Sequence, residues 1–208
     1  MTSTPRAKVR RKSAEDRRAE IVAAASALAL SEGLEHITLR SVADRLGVAG
    51  SLVSHYFPAV DSLLAEAFTA AAVAESREID AVVETADLPV DRLLALLRFH
   101  TAGDRDRMNL LWLDAWRLGR KRPALHSAVA AQMAADVGQL VGLIDEGIRS
   151  GDFTTADPRV SASRILAVLD GLSVQAAMRK AVNYGTVEEL VFIVAERELG
   201  LPVGAFTA

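Results

Sequence analysis

The sequence predicts an all-α fold of about nine helices. Apolar residues recur at helical spacing along most of the 208 residues, and the alternation typical of strands is nearly missing. Glycine and proline divide the chain into segments of ordinary helical length. Half of the residues are hydrophobic and a quarter are charged, which is an ordinary globular composition. We therefore expect a helical protein large enough to bury a substantial core.

The first helix is predicted to begin after Ser13 and to end at Gly33. Ser13 and Asp16 have the spacing of a capping box, although Glu or Gln is more usual at the second position. Apolar residues over 21–29 then repeat at helical spacing. Gly33 is a plausible C-terminal stop, because glycine adopts the backbone conformations that end helices.

A second, short helix is predicted between Thr38 and Gly47, and a third follows almost at once. Thr38 is a good N-cap, and Gly47 is a typical helix end. Ile37 and Val42 hold the positions of a hydrophobic staple. Helix, short helix, glycine turn and short helix in this order are the pattern of a helix-turn-helix.

The third helix lies within VAGSLVSHYF, residues 48–57, and has an apolar and a polar face. Val48, Val53 and Phe57 can close a small core against the first helix. The residues left outward are Gly50, Ser51, Leu52, Ser54, His55 and Tyr56. Because unpaired polar groups are costly to bury, we expect this outward set to face solvent or a ligand.

Six further helices are predicted after Pro58. Their expected ranges are 61–84, 89–102, 107–119, 123–150, 158–183 and 187–199. Proline stands at the start of three of them, and glycine follows or interrupts most of them. We expect a domain boundary at residue 58, which gives domains of 1–58 and 59–208.

Charge is distributed unevenly between these two parts. Nine Lys and Arg oppose six Asp and Glu in 1–58, a net charge of +3, whereas 59–208 carries −6. The positive charge is concentrated in RAKVRRKSAEDRR, at 6–18. A basic head on an acidic body indicates contact with a polyanion, and a solvated tail is the alternative.

Enzymatic and membrane functions find little support in the sequence. It contains no cysteine, so disulfides and thiolate metal sites are excluded, and HExxH, GxSxG and phosphate-binding glycine motifs are missing. Its four histidines are scattered. We also see no apolar run of the roughly 18 residues that span a bilayer. We therefore expect a cytoplasmic non-enzyme without metal or cofactor.

The motifs of 17–68 together resemble one family. The glycine after the first helix, ITLRSVADRLGV, the helix that ends in Phe57 and the leucine pair at 63–64 resemble the N-terminal domain of TetR-family transcriptional regulators. The SHYF ending looks like the BetI-like branch, and LWLDAWRLGRKRPAL, EGIRSGDF and DGL give weaker support. The resemblance implies a homodimer with a DNA-binding helix-turn-helix domain and a helical ligand-binding and dimerisation domain. Such proteins usually repress, and release a palindromic DNA operator when a small ligand binds.

The outward set of the third helix would then contact DNA. Gly50 and Ser51 allow close approach of backbone N–H groups to phosphate, and an exposed Leu52 suits a thymine methyl group. Ser54 could donate to a base or a phosphate. The resemblance assigns phosphate contacts to His55 and Tyr56. The alternatives are that Tyr56 packs under the fourth helix and that His55 is merely solvated.

Further DNA contacts are expected outside the third helix. The resemblance carries phosphate and possible guanine contacts over to Thr38 and Arg40, although Arg40 could also form a surface ion pair. The basic arm adds Arg10, Arg11 and Lys12, which could follow the minor groove or the backbone. The sequence departs from the family at Ala49, where a hydroxyl N-cap is common, and at Val60, where many relatives carry a lysine.

A ligand site is expected around two tryptophans of the 107–119 helix. Trp112 and Trp116 are four residues apart and share one face, which indicates either core packing or an aromatic cavity. The other candidate lining residues are Phe99, His100, Met108, Asn109 and Met133. A tryptophan pair could hold a quaternary ammonium group by cation–π attraction, and the effector itself stays unknown.

A dimer interface is expected on the last two helices. The candidate residues are Ile165, Leu169, Leu172, Ala176, Leu190, Ile193 and Val194. Two helices from each subunit would form a four-helix interface, as the resemblance implies. The alternative is that these apolar faces only complete the core of one subunit.

Overall fold

The computed structural model describes residues 13–103, 105–177 and 184–206. In this part of the chain the fold is all-α, as predicted, with nine α-helices and a short 3-10 helix at Leu34–His36. The α-helices are α1 (Ala14–Glu32), α2 (Leu39–Leu46), α3 (Gly50–Tyr56), α4 (Val60–Val83), α5 (Pro89–Thr101), α6 (Asp106–Gly119), α7 (Pro123–Ser150), α8 (Pro158–Ala177) and α9 (Tyr184–Glu198).

The predicted helix boundaries near the N-terminus are confirmed by their caps. The Ser13 hydroxyl accepts a hydrogen bond from the Asp16 backbone N–H at 2.9 Å, and the Asp16 carboxylate accepts from the Ser13 N–H. The Thr38 hydroxyl accepts from the Ser41 N–H in the same way. Gly47 has a φ of +66°, so the turn between α2 and α3 uses a left-handed conformation that glycine adopts without strain. α2 and α3 thereby form the predicted helix-turn-helix.

One boundary near the C-terminus differs from expectation. α9 begins at Tyr184, so Gly185 and Thr186 lie within its first turn rather than in a break before it. One glycine near a helix start is tolerated, because the first turn depends least on internal hydrogen bonds. The predicted end of α8, over 178–183, lies outside the described residues.

Two apolar clusters hold the molecule together. The first joins α1, α2 and α3 to α4, α6 and α7, with Ile21, Phe57, Phe68, Leu111 and Leu125 fully buried. The second joins the end of α4 to α5, α7, α8 and α9. Because the first cluster crosses residue 58, the helix-turn-helix packs directly on the helices that follow it. The division into domains at that residue stays a prediction.

α7 is the central helix of the larger part. By length and composition alone it is apolar enough to cross a membrane. The sequence predicts no apolar run of about 18 residues; α7 is nevertheless a possible span by length and composition, although Asp136 interrupts its apolar stretch. In the structure α7 packs against α4, α5, α6 and α8, the position of a core helix in a bundle.

Candidate nucleic-acid interface and ligand cavity

The inner face of α3 is buried, and this burial turns the outer face of the helix towards solvent. Val53 and Phe57 are almost completely buried in the first cluster, and Val48 packs beside them. The Arg18 guanidinium lies 4.7 Å from the centre of the Phe57 ring and pairs with Glu66 of α4. These contacts fix the orientation of α3 on α1 and α4.

Four of the six predicted outward residues of α3 are exposed. These four are Gly50, Ser51, Ser54 and His55. Leu52 is half-buried, which corrects the expectation of a fully exposed base reader. Tyr56 is also half-buried and packs against the first cluster, with its ring edge-on to His55 at 5.2 Å between centroids. Tyr56 therefore packs against the core and stays partly exposed.

The two predicted residues at the start of α2 differ in availability. The Thr38 hydroxyl is engaged in the capping box with Ser41. The Arg40 side chain is 91% exposed, and its Nε lies 3.8 Å from a carboxylate oxygen of Asp44. A surface ion pair of this length contributes little, so the Arg40 guanidinium is available to an anion. Arg10, Arg11 and Lys12 lie outside the described residues.

The two departures at the start of α3 and α4 have local consequences. Ala49 is the N-cap of α3 and makes no side-chain capping bond, as the sequence predicts. α4 begins at Val60 itself, and its N-cap Ala59 likewise lacks a side-chain bond. The stability of α3 consequently depends on the burial of Val53 and Phe57 rather than on its cap.

A cavity of about 330 Å³ lies between α4, α5, α6, α7 and α8. This volume falls in the range of small-molecule sites. Its lining includes five of the predicted ligand residues: His100, Asn109, Trp112, Trp116 and Met133. The structure thus brings together predicted ligand residues from three separate helices, α5, α6 and α7.

Phe99 and Met108 do not line this cavity. Phe99 packs on the second cluster, and the Arg105 guanidinium lies 4.4 Å from the centre of its ring. Met108 packs against the first cluster. Phe99 precedes the lining residue His100, and Met108 precedes the lining residue Asn109. Because successive residues of a helix are about 100° apart around its axis, the preceding side chain lies on another face.

The tryptophans serve both packing and the cavity wall. Their ring centroids are 5.5 Å apart, and Trp112 is edge-on to Phe68 at 5.0 Å. The Trp112 indole N–H donates to Glu75 at 3.2 Å. Glu75 also pairs with Arg105, and both side chains are only 10% exposed. The two alternatives that the sequence left open are therefore both realised.

The charged groups of the cavity do not balance. Burial lowers the pKa of His100 to about 4, so this imidazole is neutral at pH 7. Burial raises the pKa of Asp136, which the Gln132 amide lowers in part. Burial, followed by the charge of Asp136, raises the pKa of Asp170 to about 6. With Arg105 paired to Glu75, the two aspartates leave the cavity negatively charged at neutral pH.

Asp136 and Asp170 were missed in the sequence. Each is the one acidic residue of a mostly apolar stretch of its helix, AAQMAADVGQLVG in α7 and RILAVLDGLSV in α8. A lone carboxylate in such a stretch is an available signal, because unpaired charges are seldom buried without a purpose. The sequence alone does not show that α7 and α8 bring the two together.

Family models match both parts of the chain. Residues 21–67 match the model of bacterial regulatory proteins of the tetR family. Residues 89–200 match the model of the BetI-type transcriptional repressor C-terminal domain. The chain belongs to the TetR family. Within it, the C-terminal match places the chain among the BetI-type transcriptional regulators, as its sequence suggested.

Individual relatives agree with this TetR-family membership. The chain is 25% identical over 166 residues to the HTH-type transcriptional regulator PksA of Bacillus subtilis, which covers 79% of this chain and 80% of PksA. A TetR transcription regulator from Haloarcula marismortui has the same fold, with 23% identity, a TM-score of 0.76, and coverage of 89% and 99% of the two chains. A putative regulator from Saccharomonospora viridis, solved in complex with choline, has 20% identity, a TM-score of 0.75, and coverage of 89% and 98%.

Four residues predicted for the TetR-type dimer interface are part of this subunit's own core. Ile165, Leu169, Leu172 and Ala176 of α8 are buried, because α8 packs on α6, α7 and α9. That part of the prediction was wrong. In α9 Leu190 is 48% exposed and Ile193 is 41% exposed, whereas Val194 is half-buried. The exposed apolar residues of α8 are Val160 and Val174.

Proposed function

We propose that this TetR-family regulator is a ligand-responsive repressor, which binds a palindromic operator as a homodimer and releases it when a small molecule occupies the cavity. The observation that carries the proposal is that one helix, α6, contacts both the cavity and the helix-turn-helix part. The proposal has three components: a DNA surface, a ligand-dependent link and a dimer.

The DNA surface is the exposed face of α3 together with the start of α2. A helix of this kind fits the major groove, where serine hydroxyls can reach base edges. Ser51 and Ser54 supply such hydroxyls, and Leu52 supplies a partly exposed apolar contact. His55, Tyr56 and Arg40 border this face and would contact phosphates.

The ligand-dependent link between the cavity and the helix-turn-helix is α6. Asn109, Trp112 and Trp116 line the cavity. On another face of the same helix, the Asp114 carboxylate accepts from the Leu34 N–H at 3.1 Å, and Arg117 pairs with Glu35 at 2.6 Å. A ligand that shifts α6 therefore changes the support of the segment between α1 and α2. Such a shift would alter the spacing of the two recognition helices in a dimer.

The dimer would use the exposed faces of α8 and α9. Val160 and Val174 on α8, with Leu190 and Ile193 on α9, are apolar and exposed in one subunit. Their burial against a second copy is favourable in proportion to the apolar area removed from water. A two-fold dimer would read half-sites about 34–36 Å apart or a multiple of this distance.

Selection of bound sequences from random duplex DNA, followed by gel-shift titration, tests the DNA component. We expect a palindromic consensus, and we expect Arg40→Ala and Tyr56→Ala to abolish the shift while the protein stays folded. Tyr56→Phe retains the packed ring and separates the phenolic hydroxyl from packing. Arg77→Ala, an exposed arginine on α4, is the matched control. Full affinity in both Arg40→Ala and Tyr56→Ala would overturn the assignment.

A further inference from the structure

Two carboxylates of the cavity have no cationic partner. Asp136 on α7 and Asp170 on α8 both line it, and the Asp136 carboxylate accepts only from the Gln132 amide, at 2.8 Å. Within the described ranges, neither aspartate forms an ion pair with Lys, Arg or His. Arg105, which also lines the cavity, forms an ion pair with Glu75. Uncompensated charges in a partly buried site favour a cationic ligand.

A buried amide in the same cavity has an unused donor. The Asn109 side chain is only 4% exposed and lines the cavity. Its oxygen accepts from the Ser173 hydroxyl at 3.2 Å, and its nitrogen has no acceptor among the described residues. This nitrogen is not sealed inside the protein, so within a mostly apolar cavity it is available to donate to an acceptor on a ligand.

Apolar and aromatic side chains complete the wall. Trp112, Trp116, Met133 and Leu166 line the space around the polar groups. Such a wall accommodates the hydrocarbon part of a ligand, and an indole face attracts a positive charge near it. A small inorganic cation would use none of these surfaces.

We propose that the cavity binds an organic ammonium ion that also carries a hydrogen-bond acceptor, with Asp136 and Asp170 holding the ammonium group and Asn109 donating to the acceptor. The inference rests on the proposed effector function of this cavity and specifies its ligand class. N–H groups on the ammonium allow hydrogen bonds to both carboxylates, which a quaternary ammonium cannot make.

The positions of these groups on the helices also guide the choice of a probe. Asp170 and Ser173 are three residues apart on α8, so their Cβ atoms are about 5–6 Å apart. Ser173 contacts Asn109. Asn109 therefore lies beside the turn of α8 that follows Asp170, and we choose an amino alcohol with a short chain of about four or five carbons as the probe.

Tryptophan fluorescence of the full chain provides the binding assay. The protein has two tryptophans, and both line the cavity. The probes are aminopentanol, pentylamine without the acceptor, and the neutral pentanediol, titrated at about pH 8, well above the pKa of about 6 of Asp170. We expect aminopentanol to bind at least about tenfold more tightly than pentanediol, because a charged hydrogen bond is replaced by a neutral one. Pentylamine should lie between them.

Single substitutions test which side chains of the cavity bind aminopentanol. Asp170→Asn and Asp136→Asn should each weaken aminopentanol binding about tenfold or more, without changing pentanediol binding. Asn109→Ala should remove the preference for aminopentanol over pentylamine, and Ser173→Ala should reduce it. Asp145→Asn, an exposed aspartate on α7, is the matched control and should change nothing. Circular dichroism verifies that each variant is folded.

Equal affinity for aminopentanol and pentanediol would overturn the inference. So would unchanged aminopentanol binding in Asp170→Asn and Asp136→Asn, or the lack of a saturable response to every ammonium probe. Operator binding is measured on the same preparations without probe. If operator binding persists while ammonium binding fails, only the ligand class is wrong. If operator binding itself fails, the proposed function is wrong.

Discussion

Asp170 is a carboxyl group in a site that disfavours its charge. Burial and the charge of Asp136 raise its pKa from 3.8 to about 6. Between about pH 4 and pH 6 the folded protein therefore holds a proton that the unfolded chain has lost. The contribution of this group to stability falls as the pH rises through that window, and the loss is complete above it.

Asp170→Asn removes this penalty. We expect the variant to have a higher melting temperature than the wild type at pH 8, and the difference to shrink towards zero near pH 4. The other charged groups at the cavity, His100, Arg105, Asp136 and Glu75, are common to both proteins. His100 has the opposite dependence, because its lowered pKa destabilises the fold as the pH falls, and the comparison between the two proteins cancels it.

Thermal unfolding followed by circular dichroism at several pH values measures this difference. A variant less stable than the wild type at pH 8 would contradict the account of Asp170. So would a difference that is the same at every pH, since a change in packing alone does not titrate.

Among the helices, the C-terminal end of α7 is held by the Phe153 ring, which packs on Gly147. Gly151 has a φ of +88° and turns the chain back, so that the Phe153 N–H donates to the Gly147 carbonyl at 3.0 Å. The buried Phe153 ring then lies directly on Gly147, where the structure leaves no space for a Cβ. This contact connects α7 to the segment before α8.

Gly147→Ala should therefore lower the free energy of unfolding by about 1–3 kcal/mol, because the ring must move. Gly142→Ala, on an exposed position of the same helix with open space at the Cβ position, is the matched control. It should raise the free energy of unfolding by about 0.5–1 kcal/mol, because alanine favours the helix. Urea unfolding measures both. Equal effects of the two substitutions would contradict this packing.

Local signals made the N-terminal elements predictable. Ser13, Thr38 and Gly47 act through neighbours in the sequence, so the capping boxes and the turn between α2 and α3 could be predicted. The apolar pattern of α8 was equally clear, but it does not reveal what covers each face. Ile165 and Leu169 were therefore predicted in a dimer interface, whereas the structure buries them in the core of the subunit.

The cavity was predictable only in part. The spacing of Trp112 and Trp116 places both side chains on one face of α6, and both line the cavity. The carboxylates of Asp136 and Asp170 meet through tertiary packing of α7 and α8, and no local spacing encodes that. Both Phe99 and His100 were predicted, and only His100 lines the cavity, because one residue of helical rotation turns the neighbouring side chain towards the core.

For the whole molecule, the proposed dimer would depend on a small set of exposed apolar side chains on α8 and α9. We expect Ile193→Asp to convert the dimer to a monomer at micromolar concentration, because a charge would be buried at the interface of α9. Leu110→Asp, at an exposed leucine of α6, is the matched control and should leave the dimer intact. Sedimentation velocity distinguishes the two states. A dimer that persists in Ile193→Asp would place the interface elsewhere.

The most direct test of the account is the affinity of the wild-type protein for its selected duplex, measured by fluorescence anisotropy over a range of salt concentrations. A helix-turn-helix regulator should bind the selected duplex about a thousandfold or more tightly than a shuffled one. The logarithm of the affinity should fall linearly with the logarithm of the salt concentration, by about 0.9 for each phosphate contact. Equal affinity for the two duplexes, or binding that salt does not weaken, would contradict the assignment of α3 as a DNA-reading helix.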